Sequence, residues 1–376
     1  MPEPEAEPSV ASGEVLALRL FDIAYEIDLA RIETLWAAQA RAASTRGRLN
    51  ATPAKAVAFG VAPVEIPLDP VSLDLDGIAV QATVQARFYE FGVVVLALHV
   101  PARALSWQGY VGLMNAVDRC VGQSAQTPVW GALLLRIRTL FDAALVRPNA
   151  ALLEEDYLIG VVHGFGERLS AVALQERVDL AALLSGEPRP LSEGARQDLL
   201  RQRFSYYTDD LVVLTWDRAF IYEPRGDSDV IDALEVANAQ LLEMRYYDEL
   251  LDAELPRMYD LVEGTRRSFA LFASKRFAAL ARRLYTLVAE VTELTEKVDN
   301  ALQVTEDVYL ARIYAAALDL FRVRLVSAAV DRKLSIIRDT YTALYDEASS
   351  SRSALMELAI LLLIVLEVSL AIAGRR

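Results

Sequence analysis

Histidine and cysteine are nearly absent from this chain of 376 residues, which has His99, His163 and Cys120 and no others. One thiol excludes an intrachain disulfide and fits a reducing compartment; with two histidines it falls short of the usual zinc or iron donor sets. No glycine-rich phosphate loop, G-x-S-x-G elbow or dinucleotide fingerprint occurs, so no cofactor is implied. Positive charge is short as well. Against 52 acidic residues stand 38 Lys and Arg, a net charge of −14, which argues against broad binding of a phosphate backbone. The opening MPEPEAEPSVASGE has neither the basic and apolar regions of a secretory leader nor an arginine-rich presequence. Residues 1–13 are expected to be a disordered acidic tail.

Apolar residues are plentiful, at 54% with a mean hydropathy of +0.24. Much of that sits at the end, in SALMELAILLLIVLEVSLAIAGRR. Residues 354–373 have the length that crosses ~30 Å of hydrocarbon as a helix. About a dozen Leu, Ile and Val contribute on the order of 5 kcal/mol to insertion, against roughly 2.5–3.5 kcal/mol for one ionised group at the centre. The arithmetic favours a single-pass C-terminal anchor with the body in the cytoplasm. The competing reading is a buried helix of a soluble oligomer. Within an anchor, Glu367 is expected to face the same residue of a neighbouring copy.

Three regions precede this segment. Residues 14–148 open on a strand-like run, VLALRLFDIAYEID, and continue with a hairpin, GIAVQATVQARFYEFGVVVLALHVPA. Residues 151–226 follow the same plan: strand, helix, then QRFSYYTDDLVVLTWDRAFIYEP. The predicted fold class is α+β, with duplicated β-α-β-β-α units sharing a mostly antiparallel sheet and helices on one face. Residues 227–350 read as a helical stalk, a long antiparallel helical pair. One heptad seam passes through Leu287, Val291, Leu294 and Val298, and a second through Val323, Val326, Val330, Leu334, Ile337, Tyr341 and Leu344. Closure within one chain or between copies stays open.

Candidates for chemistry are few. His99 on an apolar strand reads as a satisfied core imidazole. His163 with Glu167 is the best metal-like pair, and it lacks the further donors a site needs. SLDLDG, from Ser72, resembles the start of a calcium loop but has Thr83 where the twelfth-position glutamate belongs. Arg266, Arg267, Lys275, Arg276, Arg282 and Arg283 form an acid-free basic patch that could meet anionic lipid or RNA, or acids on a partner helix. A membrane-bound enzyme would use the cleft between the two units, around His163, Glu176 and Arg177.

Three stretches in order carry a family resemblance: DIAYEIDL with ARFYEFGVVVLALHVP; LQERVDLAALLSGEPRPLS leading into DLVVLTWDRAFIYEP; and DRKLSIIRDTYTAL followed by MELAILLLIVLEV. Together they resemble the required-for-meiotic-nuclear-division family, which is defined by a domain of unknown function. The resemblance covers about residues 15–368. It implies membrane-anchored, self-associating proteins without known catalytic activity, and the family's mitochondrial members support translation in the organelle. The stretch from Gly264 to Leu320 looks longer than in eukaryotic members, and the organellar presequence is lacking. The expectation is a non-enzymatic, tail-anchored scaffold that forms homo-oligomers on membrane lipid and presents its body to protein partners. Nucleic acid is the less favoured partner.

Overall fold

The run from Val15 to Ala24 alternates in direction along a strand, yet eight of its ten residues are apolar, all but Arg19 and Asp22. A strand like this needs cover on both faces, and β1 (Ser9–Ile27) has it. Val15, Ala17, Phe21 and Ile23 join one core cluster with the first five helices. Leu16, Leu18 and Leu20 are equally buried on the other face. The expectation of helices on one face is therefore corrected: the sheet lies between two helical layers. The computed structural model describes residues 7–40, 45–46, 61–187, 189–226, 229–266, eight positions between 279 and 292, and 308–373, with backbone alone for 261–266 and most of 347–373.

The remaining strands are β2 (Thr45–Arg46), β3 (Val64–Leu75), β4 (Ile78–Phe88), β5 (Val93–Ser106), β6 (Leu145–Phe165), β7 (Gln202–Phe204), β8 (Leu211–Leu214) and β9 (Arg218–Tyr222). They form one sheet in the order β2-β3-β4-β5-β1-β6-β9-β8-β7. Every neighbouring pair is antiparallel except β6–β9, which is parallel. With the two-residue β2 set aside, three strands flank the central β1–β6 pair on each side, but the polarity differs, since β5 is antiparallel to β1 and β9 parallel to β6. Between β6 and β7 the chain crosses over through α4 (Ala171–Arg177), α5 (Leu180–Ser185) and α6 (Glu193–Leu199), which supplies the length a parallel return requires. The sequence likeness of Arg87-Phe88 to Arg203-Phe204 matches β4 to β7, whereas position in the sheet matches β4 to β8.

Two compact units divide the chain. The first takes in Met1–Glu243 and Lys297–Arg324, so the described residues 229–243 and 308–324, expected in the stalk, belong with the sheet. One side of the sheet carries α1 (Leu29–Ala40), α2 (Trp107–Val121), α3 (Val129–Phe141), α4 and α5. Trp107 is central there, packing on Tyr110, Phe165 and Phe220. Gly160 of β6 lets α2 close in, because a Cβ at that position would meet the Tyr110 hydroxyl at 2.8 Å and the Met114 sulfur at 3.2 Å. The other side is covered by the first part of α7 (Val230–Arg266) and by α8 (Val308–Leu320), with Phe321 edge-on to Tyr157 of β6.

In the second unit, Met244–Glu296 and Leu325–Arg376, the buried residues Met244, Tyr247, Leu251 and Met258 of α7 keep heptad steps. Val330, Leu334 and Ile337 of α9 (Val323–Ala373) are buried as well. Lys333 ties the two helices together, with Nζ 2.6 Å from Asp248 Oδ1 and 2.7 Å from Asp252 Oδ1. The seam through α9 thus closes within one chain. It also takes its partner partly from α7, which the expected helical pair did not include.

Candidate functional site

Alternation along β4 sends Val84, Ala86 and Phe88 into the core cluster and Gln85 and Arg87 to the opposite face. There Arg87 is the hub of a largely buried network. Its Nη1 donates to Asp232 Oδ1 and to Glu235 Oε2 (3.1 Å) at the start of α7, and its Nη2 donates to Glu65 Oε2 of β3 (3.1 Å). Tyr89 donates its hydroxyl to Glu235 Oε1 (2.7 Å). Burial pushes the Glu235 carboxyl above its usual range despite the opposing charge of Arg87. Burial would depress Arg87, but Glu235, Asp232, Tyr89 and Glu65 hold it well above its ordinary value. One permanent cation among three carboxylates is an anchor for α7 rather than a proton-transfer device. The signal was present in the sequence: an arginine on a half-apolar strand, and two acids three residues apart at a later helix start.

On the same face His99 lies with Nδ1 3.1 Å from Glu14 Oε2 and Nε2 2.9 Å from Gln85 Oε1. Burial raises the Glu14 carboxyl, but the His99 hydrogen bond and the charges of His99 and His163 carry it below its usual range. His99 is therefore satisfied, and it is half-buried rather than in the core. His163 is exposed and rests 3.3 Å from the Glu223 carbonyl. Its sequence neighbour Glu167 pairs instead with Arg177 (2.8 Å). Among the described residues no group of three His, Cys, Asp or Glu comes together to hold a metal. The two halves of the sheet are joined by the long β1–β6 ladder, which is irregular near Val10–Gly13 and Asp22–Ala24; His163 lies on β6, and Glu176 and Arg177 lie on α4.

The LQERVDLAALLSGE block has a packing explanation. Asp179 caps α5 by accepting from the Ala182 amide, and Gly186 closes it at φ 64°. A Cβ on Gly186 would collide with the Arg218 guanidinium. Arg218 donates to Asp118 (2.6 Å), Asn115 (2.8 Å) and the Leu183 carbonyl (3.1 Å), joining β9 to α2 and α5.

Of the expected seam, Val291 is described and fully buried, while Leu287, Leu294 and Val298 lie outside the described residues. So do Arg267, Lys275, Arg276 and Arg283 of the basic patch; Arg282 is exposed, and Arg266 ends α7. Glu367 lies on the helical backbone of α9, and its side chain is outside the description. Among the described residues no helix is long and apolar enough to cross a membrane. Ile360, Leu361, Leu363 and Ile364 of α9 are nonetheless 55–64% exposed.

These features define an α+β protein with a mostly antiparallel mixed sheet, covered on both faces and locked by buried arginines. The chain belongs to the family described as "Uncharacterized protein MJ0711, N-terminal domain", whose model matches residues 12–229, more than half of its length. It is similar to the uncharacterized protein MJ0711 of Methanocaldococcus jannaschii, at 26% identity over 238 residues, covering 62% of this chain and 72% of that protein. No solved structure matches.

Proposed function

We propose that the chain is a non-enzymatic scaffold, tethered to a bilayer by the C-terminal part of α9 and presenting its sheet-bearing unit to protein partners in the cytoplasm. The observation that carries this reading is the exposure of Ile360, Leu361, Leu363 and Ile364. Up to Ile337, α9 buries one stripe; beyond it, large aliphatic side chains stand exposed over a wide arc of the helix. Such a surface suits lipid or another apolar helix, not water. The resemblance to the required-for-meiotic-nuclear-division family supports the same reading, since its members are membrane-anchored and self-associate. Copies would then meet through Glu367 within the bilayer, since Val291 of the expected seam is already buried within one chain. Membrane fractionation with an alkaline carbonate wash tests the tether. The full chain should stay in the pellet, and a chain ending at Ser350 should be soluble and folded. If the full chain washes off, the tether is discarded and the exposed aliphatics belong to an oligomer.

A further inference from the structure

Among the described residues the nine-stranded sheet ends at β7, whose three residues pair with β8 alone. Arginines surround the open side. Arg203 projects toward the α4 face, where its Nη1 donates to Gln175 Oε1 (3.0 Å). Phe204 projects the other way, and the Arg312 guanidinium of α8 lies over its ring at 5.8 Å. Just beyond β7, Tyr206 and Tyr207 are 60% and 48% exposed. Their rings meet edge-on at 4.8 Å, Tyr206 also contacts Tyr309 (5.5 Å), and the Arg225 guanidinium sits 4.5 Å above Tyr207. Neither Arg225 nor Arg312 has a carboxylate partner among the described residues. Of the two acids in the turn, Asp210 is folded onto the Tyr206 and Tyr207 amides, and Asp209 is exposed.

We infer that the β7 edge is a docking strand for an extended, acid-rich segment of a partner protein. The segment adds to β7 through main-chain hydrogen bonds and sets neighbouring carboxylates, which point to opposite faces of a strand, against Arg203 on one face and Arg312 on the other. An unpaired ladder recognises a peptide backbone. The arginines repel a second copy of the same edge and so select acid. Stacking on Tyr207 and Phe204 holds two guanidiniums in place before the partner arrives, which lowers the ordering cost of binding. The Arg225 guanidinium already lies over Tyr207, so a nucleic-acid base would have to displace it to stack there.

The test is fluorescence anisotropy with a fluorescein-labelled ten-residue peptide in which pairs of glutamates alternate with pairs of valines, so that each face carries carboxylates, added to the full chain in detergent micelles. Saturable binding is expected, weakened at least tenfold in the R203E/R312E variant. A peptide N-methylated at its odd positions or at its even positions can pair with β7 along only one of its two edges, so one of these two should lose at least tenfold. The milder R225Q/R312Q variant guards against misfolding and should weaken binding severalfold while leaving tryptophan emission unchanged. Unaltered binding by both variants overturns the proposal. So does equal binding of both N-methylated peptides, or equal competition by a ten-nucleotide oligodeoxyuridylate, which would make the surface a general anion site.

Discussion

Replacing Asp22 with asparagine should stabilise the first unit, and the gain should depend on pH. Asp22 is buried in β1, and its Oδ1 accepts from Asn149 Nδ2 at 2.6 Å. Burial pushes its carboxyl from 3.8 up to about 7, against the Asn149 hydrogen bond and the charge of Arg138. The fold therefore holds a proton that the unfolded chain, ionising near 4, has released. Below about pH 4 both states are protonated and the two proteins should be equally stable, apart from the exchange of hydroxyl for amide. From about pH 4 to 7 the wild type loses up to ~1.4 kcal/mol per pH unit, and above 7 it has lost a total of about 4 kcal/mol at most. Asparagine keeps the acceptor for Asn149 and carries no charge at any pH, so Asp22→Asn should gain roughly 2–4 kcal/mol at pH 8 and nothing at pH 4. All four tryptophans, Trp36, Trp107, Trp130 and Trp216, lie in the first unit. Their emission during urea unfolding of the full chain in micelles thus reports on that unit. Parallel stability–pH curves for the two proteins would refute the reasoning.

Three further substitutions probe the other supports. Arg87→Met leaves Glu65, Asp232 and Glu235 without their cation and should cost about 3–5 kcal/mol in tryptophan-monitored unfolding; adding Glu235→Gln should restore at least about 1 kcal/mol of that. Gly92→Ala should cost at least roughly 2 kcal/mol, because Gly92 turns between β4 and β5 at φ 99° and a Cβ there would collide with the Ala24 carbonyl; an unchanged midpoint would show the turn can relax. Lys333→Met removes the cation between Asp248 and Asp252 and should lower the helical unfolding transition of the second unit by about 1–2 kcal/mol, read at 222 nm, with the tryptophan transition as an internal control.

Local period was legible in the sequence; what each element packs against was not. β1 could be read as a strand because ten consecutive residues with strand-forming character precede a helix start at Asp28 and Leu29. Its cover on both faces follows from Leu16, Leu18 and Leu20 being as apolar as Val15 and Phe21, a symmetry the sequence reading passed over. The turn at Tyr89–Gly92 was legible because glycine at positive φ and buried aromatics share four residues. The boundary at residue 226 failed for a physical reason: α7 has one continuous helical pattern, and nothing local marks where its contacts change from sheet to helix at Glu243 and Met244. The Arg87 and Arg218 networks join residues separated by 145 and 103 positions, which a single sequence without covariation does not connect.

The covered sheet narrows where this protein can meet anything else. Both faces of the sheet are occupied, by α1–α5 on one side and by α7 and α8 on the other. Among the described residues the outermost ladders are the short β2–β3 pairing, which leaves the rest of β3 open on that side, and the β7–β8 pairing. At one end β2 has two residues; at the other β7 has three, flanked by Arg203 and by Arg312 over Phe204. An edge kept short and positively charged in a chain of net −14 resists its own copies, and carboxylates suit it better than any other ligand class. If partners arrive at β7 while α9 holds lipid, the two contacts use separate parts of the chain and should be separable by mutation. R225Q/R312Q should release the acidic peptide and leave the carbonate pellet unchanged, whereas the chain ending at Ser350 should do the reverse. A variant in which both properties fail together, with tryptophan emission intact, would show that docking and tethering share one surface.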